Sequence, residues 1–108
     1  MKIVIVESPY SGDTERNLRY ARMAMRDCLL RGEAPYASHL LYTQPGVLDD
    51  DSPGERALGI LAGFAFRAHA VATVVHEDYG VSEGMNDGIE HSHQLGVPVE
   101  YRSLKDKL

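Results

Sequence analysis

The chain alternates between short apolar runs and stretches in which apolar side chains recur at helical spacing. The run from Lys2 to Val6 is rich in β-branched residues, which is typical of a buried strand. From Thr14 to Arg31 apolar residues recur every three or four positions, which predicts an amphipathic helix. Asp13 is suited to be its N-cap, and Gly32 is suited to end it.

The middle of the chain predicts a weaker strand and a clearly delimited helix. Ala34 to Tyr42 is the strand candidate, and a loop rich in Gly, Pro and Asp follows it. Ser52 and Glu55 form a capping-box pattern around Pro53, as expected at a helix start. The apolar stripe by which such a helix packs consists of Ala57, Leu58, Leu61, Phe64, Ala65 and Ala68.

A last strand–helix–strand unit completes the pattern. Val71 to His76 predicts a buried strand, and Val97 to Arg102 predicts the final one. Between them, Ser82 is the candidate N-cap of a third helix and Gly96 its candidate end. The order βαβαβαβ favours an α/β fold in which a parallel sheet of about four strands carries helices on both faces.

Length, charge and composition narrow the class of protein. A chain of 108 residues suits one domain, residues 1–108, and a closed site in so small a domain would need walls from a second copy. The formal net charge of −5 argues against binding of nucleic-acid polymers, which normally takes a basic face. No segment approaches the ~20 apolar residues of a membrane span, and the single Cys28 cannot form an internal disulfide. We therefore expect a cytoplasmic homo-oligomer that binds neither membranes nor nucleic-acid polymers.

The loop after the first strand is the first candidate site. Ligands of open parallel sheets bind beyond the carboxyl ends of the strands, where loops lead into helix N-termini. This loop offers hydroxyls, a phenol and a guanidinium to a phosphate or a sugar. The candidate ligand-binding residues are Ser8, Tyr10, Ser11, Gly12 and Arg16. An ordinary capped turn explains the same pattern, so both interpretations stay open.

Two later loops reach the same edge of the predicted sheet. Ser82, Gly84 and Met85 are candidates for an opposite wall of the site. A glycine in the first turn of a helix costs about 1 kcal/mol relative to alanine, and it permits close approach of a ligand or of another element. The middle loop adds His39 and Arg56. A cation at a helix start opposes the helix dipole, which favours a facing anion or a partner chain.

Metal-binding and dinucleotide-binding patterns are missing. Residues 49–51 are three adjacent aspartates, which are best explained as a solvated loop. His91 and His93 would point about 200° apart on a helix and cannot share an ion. The sequence contains neither G-x-G-x-x-G, nor the P-loop pattern, nor G-x-S-x-G. We expect no metal and no cofactor.

Three stretches resemble the nucleoside 2-deoxyribosyltransferase-like superfamily, in particular its small phage and bacterial members. They are Ile3 to Tyr10, Ala37 to Gln44, and Ser82 to Val99 with its Ser-x-Gly-Met start and Leu-Gly-Val-Pro-Val end. The resemblance implies a single flavodoxin-like or Rossmann-like α/β domain, usually at least a dimer, that binds a nucleoside or nucleotide. Enzymes of the superfamily break or exchange the N-glycosidic bond between base and deoxyribose.

The resemblance also implies catalytic residues. A glutamate at the start of the last helix attacks the anomeric carbon, and a tyrosine of the first loop, matched by Tyr10, helps to orient it. Counted back from Gly96, the position of that glutamate falls on Gly88, which carries no nucleophile. The nearest acids are Asp87 and Glu90, which therefore join Tyr10 as catalytic candidates.

Three functions remain open at this point. The first is a nucleoside- or nucleotide-binding protein that cleaves or transfers an N-glycosidic bond without a metal. The second is a non-catalytic binder that sequesters or senses a nucleotide-derived molecule, which the glycine at position 88 favours. The third is an interaction protein whose pocket is unused.

Overall fold

Strands and helices alternate along the chain as the sequence predicts. The computed structural model describes residues 1–108. The strands are β1 (Lys2–Glu7), β2 (Glu33–Tyr36), β3 (Ala72–His76) and β4 (Val99–Arg102). The helices are α1 (Thr14–Leu30), α2 (Ser38–Leu41), α3 (Pro53–Arg67) and α4 (Glu83–Leu95), and a short 3-10 helix covers Lys105–Lys107. None of these helices combines the length and the apolar character that a membrane crossing requires.

All four strands are parallel and lie in the order β2-β1-β3-β4, which confirms the predicted α/β fold with a four-stranded parallel sheet. The chain runs from β1 outward to β2 and then returns to the other side of β1. The topological switch point therefore lies between β1 and β3, where Glu7 stands opposite Val75 at the carboxyl ends of the two strands. In open α/β sheets, this crevice is where ligands bind.

Helices cover both faces of the sheet. On one face α1 packs on the larger apolar cluster, which consists of Val4, Val6, Tyr20, Ala24, Cys28, Ala37, Val74 and Leu104. On the other face α4 packs through a smaller cluster of Val75, Met85 and Ile89. Because side chains alternate along a strand, Val4 and Val6 face α1, whereas Ile5 and Glu7 face α3 and α4. Glu7, the last residue of β1, therefore lies on the less apolar face of the sheet.

The helix boundaries follow the predicted capping residues. The Asp13 carboxylate accepts a hydrogen bond from the backbone N–H of Arg16 at 3.2 Å. The Ser82 hydroxyl likewise accepts from the backbone N–H of Met85 at 3.2 Å and starts α4. Gly96 ends that helix with φ of +71°, a left-handed conformation that favours glycine. These three predictions are confirmed.

The capping box at the start of α3 is only half formed. The Ser52 hydroxyl accepts from the backbone N–H of Glu55 at 3.5 Å, as predicted. The Glu55 carboxylate does not return the bond to Ser52; instead it accepts from the backbone N–H of Asp49 at 3.2 Å. Glu55 thus lies in the first turn of α3 and also holds the preceding loop in place through this hydrogen bond.

The strand predicted over Ala34 to Tyr42 is wrong in its second half. β2 ends at Tyr36, and the chain then forms the short helix α2. The apolar run in this segment is too short to separate a strand from a helix by periodicity. What decides is packing: Ala37 is buried in the core, and Leu40, three residues later, packs against the same cluster.

The predicted apolar stripe of α3 does not face the core of the chain. Leu58 is 58% exposed and Leu61 is 62% exposed, while the buried residues of the helix are Gly63 and Arg67. Glycines allow α3 to approach α2 closely, since a Cβ at Gly63 would lie 3.3 Å from the Ser38 side chain. The single chain therefore leaves an apolar helix face uncovered.

Candidate functional site

A cavity opens at the carboxyl edge of the sheet, beside the switch point between β1 and β3. Its volume is about 630 Å³. The end of β1, α2 with the loop after it, α3 and the first turns of α4 all contribute to its walls. The structure brings most of the predicted site residues together here: Ser8, Tyr10, Ser11, His39, Arg56, Ser82, Gly84, Met85 and Asp87.

Three predicted residues lie away from this cavity. Gly12 lines an adjoining depression of about 410 Å³, together with the three adjacent aspartates of residues 49–51. The guanidinium of Arg16 lies 4.0 Å from the centroid of the Tyr79 ring and donates to the Asn17 side-chain oxygen at 3.0 Å. Glu90 is exposed, because a residue two positions after Gly88 points to another side of α4.

Glu7 and Arg67 form a buried ion pair at one side of the cavity. The Arg67 Nη2 group donates to Oε2 of Glu7. Arg67 is itself held in place, since Nε donates to the Thr73 hydroxyl at 3.1 Å and Nη1 lies 3.0 Å from Nδ1 of His91. The side chains of Arg67 and Glu7 are only 3% and 15% exposed. Removing two charges from water costs free energy. Buried charged groups with such partners are often found at functional sites.

Burial raises the pKa of the Glu7 carboxyl to about 7. The Arg67 guanidinium acts in the opposite direction but does not outweigh the loss of water, and the nearby Asp87 carboxylate raises the pKa further. Glu7 therefore gains and loses a proton near neutral pH. A carboxyl group with such a pKa is suited to act as a general acid or base at that pH.

Gly88 of α4 lies directly against the carboxyl group of Glu7. A Cβ at this position would stand 2.9 Å from Oε1 and still closer to Oε2, which is severe steric overlap. Any side chain at position 88 would therefore have to displace Glu7. The site at which the resemblance implies a glutamate on α4 is filled by a glutamate from β1.

Ser8 and His39 form a second polar pair in the cavity. The Ser8 hydroxyl lies 2.6 Å from Nε2 of His39, which joins the end of β1 to α2. Burial lowers the pKa of His39 to about 4, and the neighbouring His76 lowers it further. His39 is therefore neutral at pH 7, and it serves the cavity as a hydrogen-bonding group and not as a cation.

Asn17 shapes the loop that carries Tyr10. Its buried side-chain amide donates to the carbonyl oxygens of Tyr10 and Ser11, both at 3.0 Å. These two bonds fold the loop back over the first turn of α1 and leave Tyr10 at the cavity. Asn17 is thus a structural support of the predicted first loop.

Sequence reasoning missed Glu7, Arg67 and the role of Gly88. Glu7 stands at the end of an apolar run, and the alternation of β1 was the available signal that it shares a face with Ile5. Arg67 gives no such signal, because a basic residue in the last turn of a helix is favoured by the helix dipole alone. Only the fold shows that the two side chains meet.

Comparisons with known proteins support the fold. Residues 2–102 match a family described as a domain of unknown function, DUF7768. The solved structure of a 2-deoxyribosyltransferase from Bacillus psychrosaccharolyticus, a biocatalyst for nucleoside synthesis, is similar with a TM-score of 0.64 and 18% sequence identity. The match covers 94% of this chain and 72% of that chain. No curated protein matches the chain significantly. The structural likeness establishes a shared flavodoxin-like architecture.

Proposed function

This chain belongs to the DUF7768 family, and we propose that it is a cytoplasmic nucleoside-binding protein of the nucleoside 2-deoxyribosyltransferase-like type. The observation that carries the proposal is the cavity at the switch point. Its volume of about 630 Å³ falls within the ~300–1,000 Å³ of small-molecule sites. The structurally similar 2-deoxyribosyltransferase supports a nucleoside as the ligand class. We further propose that the chain is one domain over residues 1–108.

The charges around the cavity favour an uncharged nucleoside over a nucleotide. The acidic lining residues are Glu7, Asp50, Glu55, Glu83 and Asp87, and the lining arginines are Arg56 and Arg67. Arg67 is already paired with Glu7, which leaves Arg56 as the lining arginine for a phosphate. A phosphate group would bring further negative charge close to the unpaired carboxylates, and that repulsion is unfavourable.

The remaining walls offer suitable partners for a sugar and a base. Ser8 and His39, together with Tyr10, present hydroxyl and imidazole groups that can hydrogen-bond to the sugar hydroxyls. Tyr42 and Phe64 supply aromatic surface for a base. The opposite wall, which includes Ser82, Gly84 and Met85, has no side chain at Gly84 and so lets the ligand approach the backbone of α4.

We expect deoxynucleosides to stabilise the protein against heat. A ligand present at ten times its Kd adds roughly 1.4 kcal/mol, which raises Tm by about 4 °C or more in a domain of this size. The measurement is a thermal-shift series with deoxynucleosides, their 5′-monophosphates, free bases and deoxyribose. The nucleoside should give the largest shift. If no nucleoside or nucleotide moves Tm, the proposed function is wrong.

A non-catalytic binder is the second candidate function. The observation that favours it is Gly88, because α4 carries no side chain where the resemblance implies the nucleophilic glutamate. Chromatography of the same incubations separates the two candidates. Stabilisation by a nucleoside without release of free base identifies a protein that sequesters or senses its ligand.

We also propose that the chain forms a homo-oligomer through the outer face of α3. From Ala57 to Phe66 the helix carries no charged side chain, although Leu58 and Leu61 are more than half exposed in the single chain. Helices that are apolar all around are normally buried. A second copy is the natural occupant, since one apolar helix face can pair with itself across a two-fold axis.

Replacing Leu61 with aspartate is expected to convert the oligomer into a monomer. The change places a charge in the centre of the proposed contact, where it would be desolvated without a partner. Analytical ultracentrifugation at micromolar concentration measures the effect. Leu30→Asp is the matched control, because Leu30 is an exposed leucine on α1 at the opposite face of the sheet. A wild-type protein that sediments as a monomer contradicts the proposal.

A further inference from the structure

The carboxyl group of Glu7 is the most unusual group in the cavity. We propose that Glu7 is the catalytic acid–base residue for hydrolysis of a nucleoside N-glycosidic bond, and that Gly88 is a glycine because Glu7 occupies the space above it. This inference rests on the proposed function. It differs from the expectation drawn from the resemblance, because the reactive carboxylate comes from β1 and not from α4.

The first argument is the position of Glu7 in the fold. It is the last residue of β1, at the switch point, and it lines the cavity together with Ser8, which follows it. The strand is one of the two central strands of the sheet, since β1 pairs with both β2 and β3. A catalytic group on a central strand is held more rigidly than one on a loop.

The second argument is that Arg67 orients the carboxyl group and leaves one oxygen free. Oε2 accepts a hydrogen bond from Arg67, which is fixed in turn by Thr73 and His91. Oε1 accepts no hydrogen bond from another residue of the chain, and it is the carboxyl oxygen farther from the Cβ position of Gly88. One oxygen is therefore held in place while the other is available to a water molecule or a substrate.

The third argument is that the other candidate acids lack this environment. Asp87 lines the cavity but is exposed, and Glu90 lies away from it. The buried Glu7 carboxyl, with a pKa raised to about 7, is matched to proton transfer at that pH.

The proposed reaction is balanced with water as the only co-reactant. Oε1 of Glu7 takes a proton from a water molecule, and the water oxygen forms a bond to the anomeric carbon. The bond from that carbon to the base nitrogen breaks, and its electron pair leaves with the base. The proton held by Glu7 then passes to that nitrogen. The products are the free base and the sugar, and Glu7 returns to its carboxylate form.

The decisive experiment compares Glu7→Gln with the wild-type protein. Glutamine keeps the shape of the side chain and can still accept from Arg67, but it cannot take up a proton. We expect the rate of base release to fall by at least 100-fold, with thermal stabilisation by the nucleoside retained. The wild-type kcat/KM should rise as pH increases through about 7, and this step should be absent from any residual activity of Glu7→Gln. Glu15→Gln, whose side chain is 88% exposed on α1, serves as the control and should behave as wild type.

A relocation variant tests the geometry directly. In Glu7→Ala/Gly88→Asp the carboxyl group is removed from β1 and returned from α4, one bond beyond the Cβ position that Glu7 now covers. We expect at least a tenfold recovery of base release relative to Glu7→Ala. Base release by Glu7→Gln at the wild-type rate overturns the inference, as does a wild-type protein that binds nucleosides and releases no base. Absence of any nucleoside binding contradicts the proposed function itself.

Discussion

Replacing Arg67 with methionine is expected to lower the free energy of unfolding by about 3–5 kcal/mol at pH 8, and by about 1 kcal/mol less at pH 5. At pH 8 the wild-type Glu7 carboxyl is ionised, and without Arg67 it must either stay charged with no partner or take up a proton above its pKa of about 7. At pH 5, below its raised pKa of about 7, Glu7 is protonated and neutral. The methionine then costs mainly the hydrogen bonds to Thr73 and His91.

The sign of the pH dependence follows from the protons bound in each state. The unfolded Glu7 titrates near 4.5 and the folded one near 7, so between these pH values the folded state binds more protons. The wild-type protein therefore loses stability from Glu7 as pH rises through this window, and above it the loss is constant. Removing Arg67 raises the folded pKa further and extends the loss to higher pH.

Urea denaturation followed by circular dichroism at pH 5 and pH 8 measures both effects. His39 and His76, whose pKa values burial lowers to about 4, contribute equally to both proteins and cancel in the difference. His91 does not cancel, because burial and the contacting Arg67 both lower its pKa and the substitution removes the second effect. The double variant Arg67→Met/Glu7→Gln is the control, because the extra loss at pH 8 should disappear with the carboxylate. An equal loss at both pH values for Arg67→Met would show that Glu7 does not titrate as described.

The substitution Gly88→Ala should lower the free energy of unfolding when Glu7 is present and raise it when Glu7 is replaced by alanine. With Glu7 present, the new methyl group overlaps the carboxyl group and forces it away from Arg67, at an expected cost of about 1–3 kcal/mol. With Glu7→Ala in place the carboxyl group that overlaps this position is gone. The same substitution should then stabilise the protein by about 0.5–1 kcal/mol, as expected for alanine in place of glycine within a helix.

The four proteins of this double-mutant cycle are compared by urea denaturation at one pH. The two effects of Gly88→Ala should differ by at least about 1 kcal/mol, which is the coupling expected of residues in contact. Gly84→Ala is the matched control in the same helix, since a Cβ there meets nothing within 4 Å. Its effect should be the same with and without Glu7. Additive behaviour at position 88 would contradict the close approach of Glu7.

The candidate site was partly predictable from the loops of the sequence. Turn residues after β1 and before α4 marked the two stretches that meet at the cavity, because the carboxyl ends of parallel strands share one edge of the sheet. Ser8, Tyr10 and Gly84 lie there for that reason. Arg16 has the right chemistry in the right loop, yet it turns toward Tyr79, a contact that no local pattern reports.

The apolar stripe of α3 shows a different limit of sequence reasoning. Periodicity identifies which residues share a face of the helix, but it does not say what covers that face. The structure turns Gly63 and Arg67 inward and leaves Leu58 and Leu61 exposed. Burial within one chain and burial against a second copy produce the same pattern of apolar residues.

The sequence by itself determined the order of the four strands and of α1, α3 and α4, and hence the α/β fold. It also determined the helix ends at Asp13, Ser82 and Gly96, because periodicity and capping act over a few residues. The tertiary structure decided where the charged groups meet. Glu7, Arg67 and Gly88 are far apart in the chain and come together only when α3 and α4 pack on the same face of the sheet. The burial that results raises the pKa of Glu7, and no local feature of the sequence encodes that change.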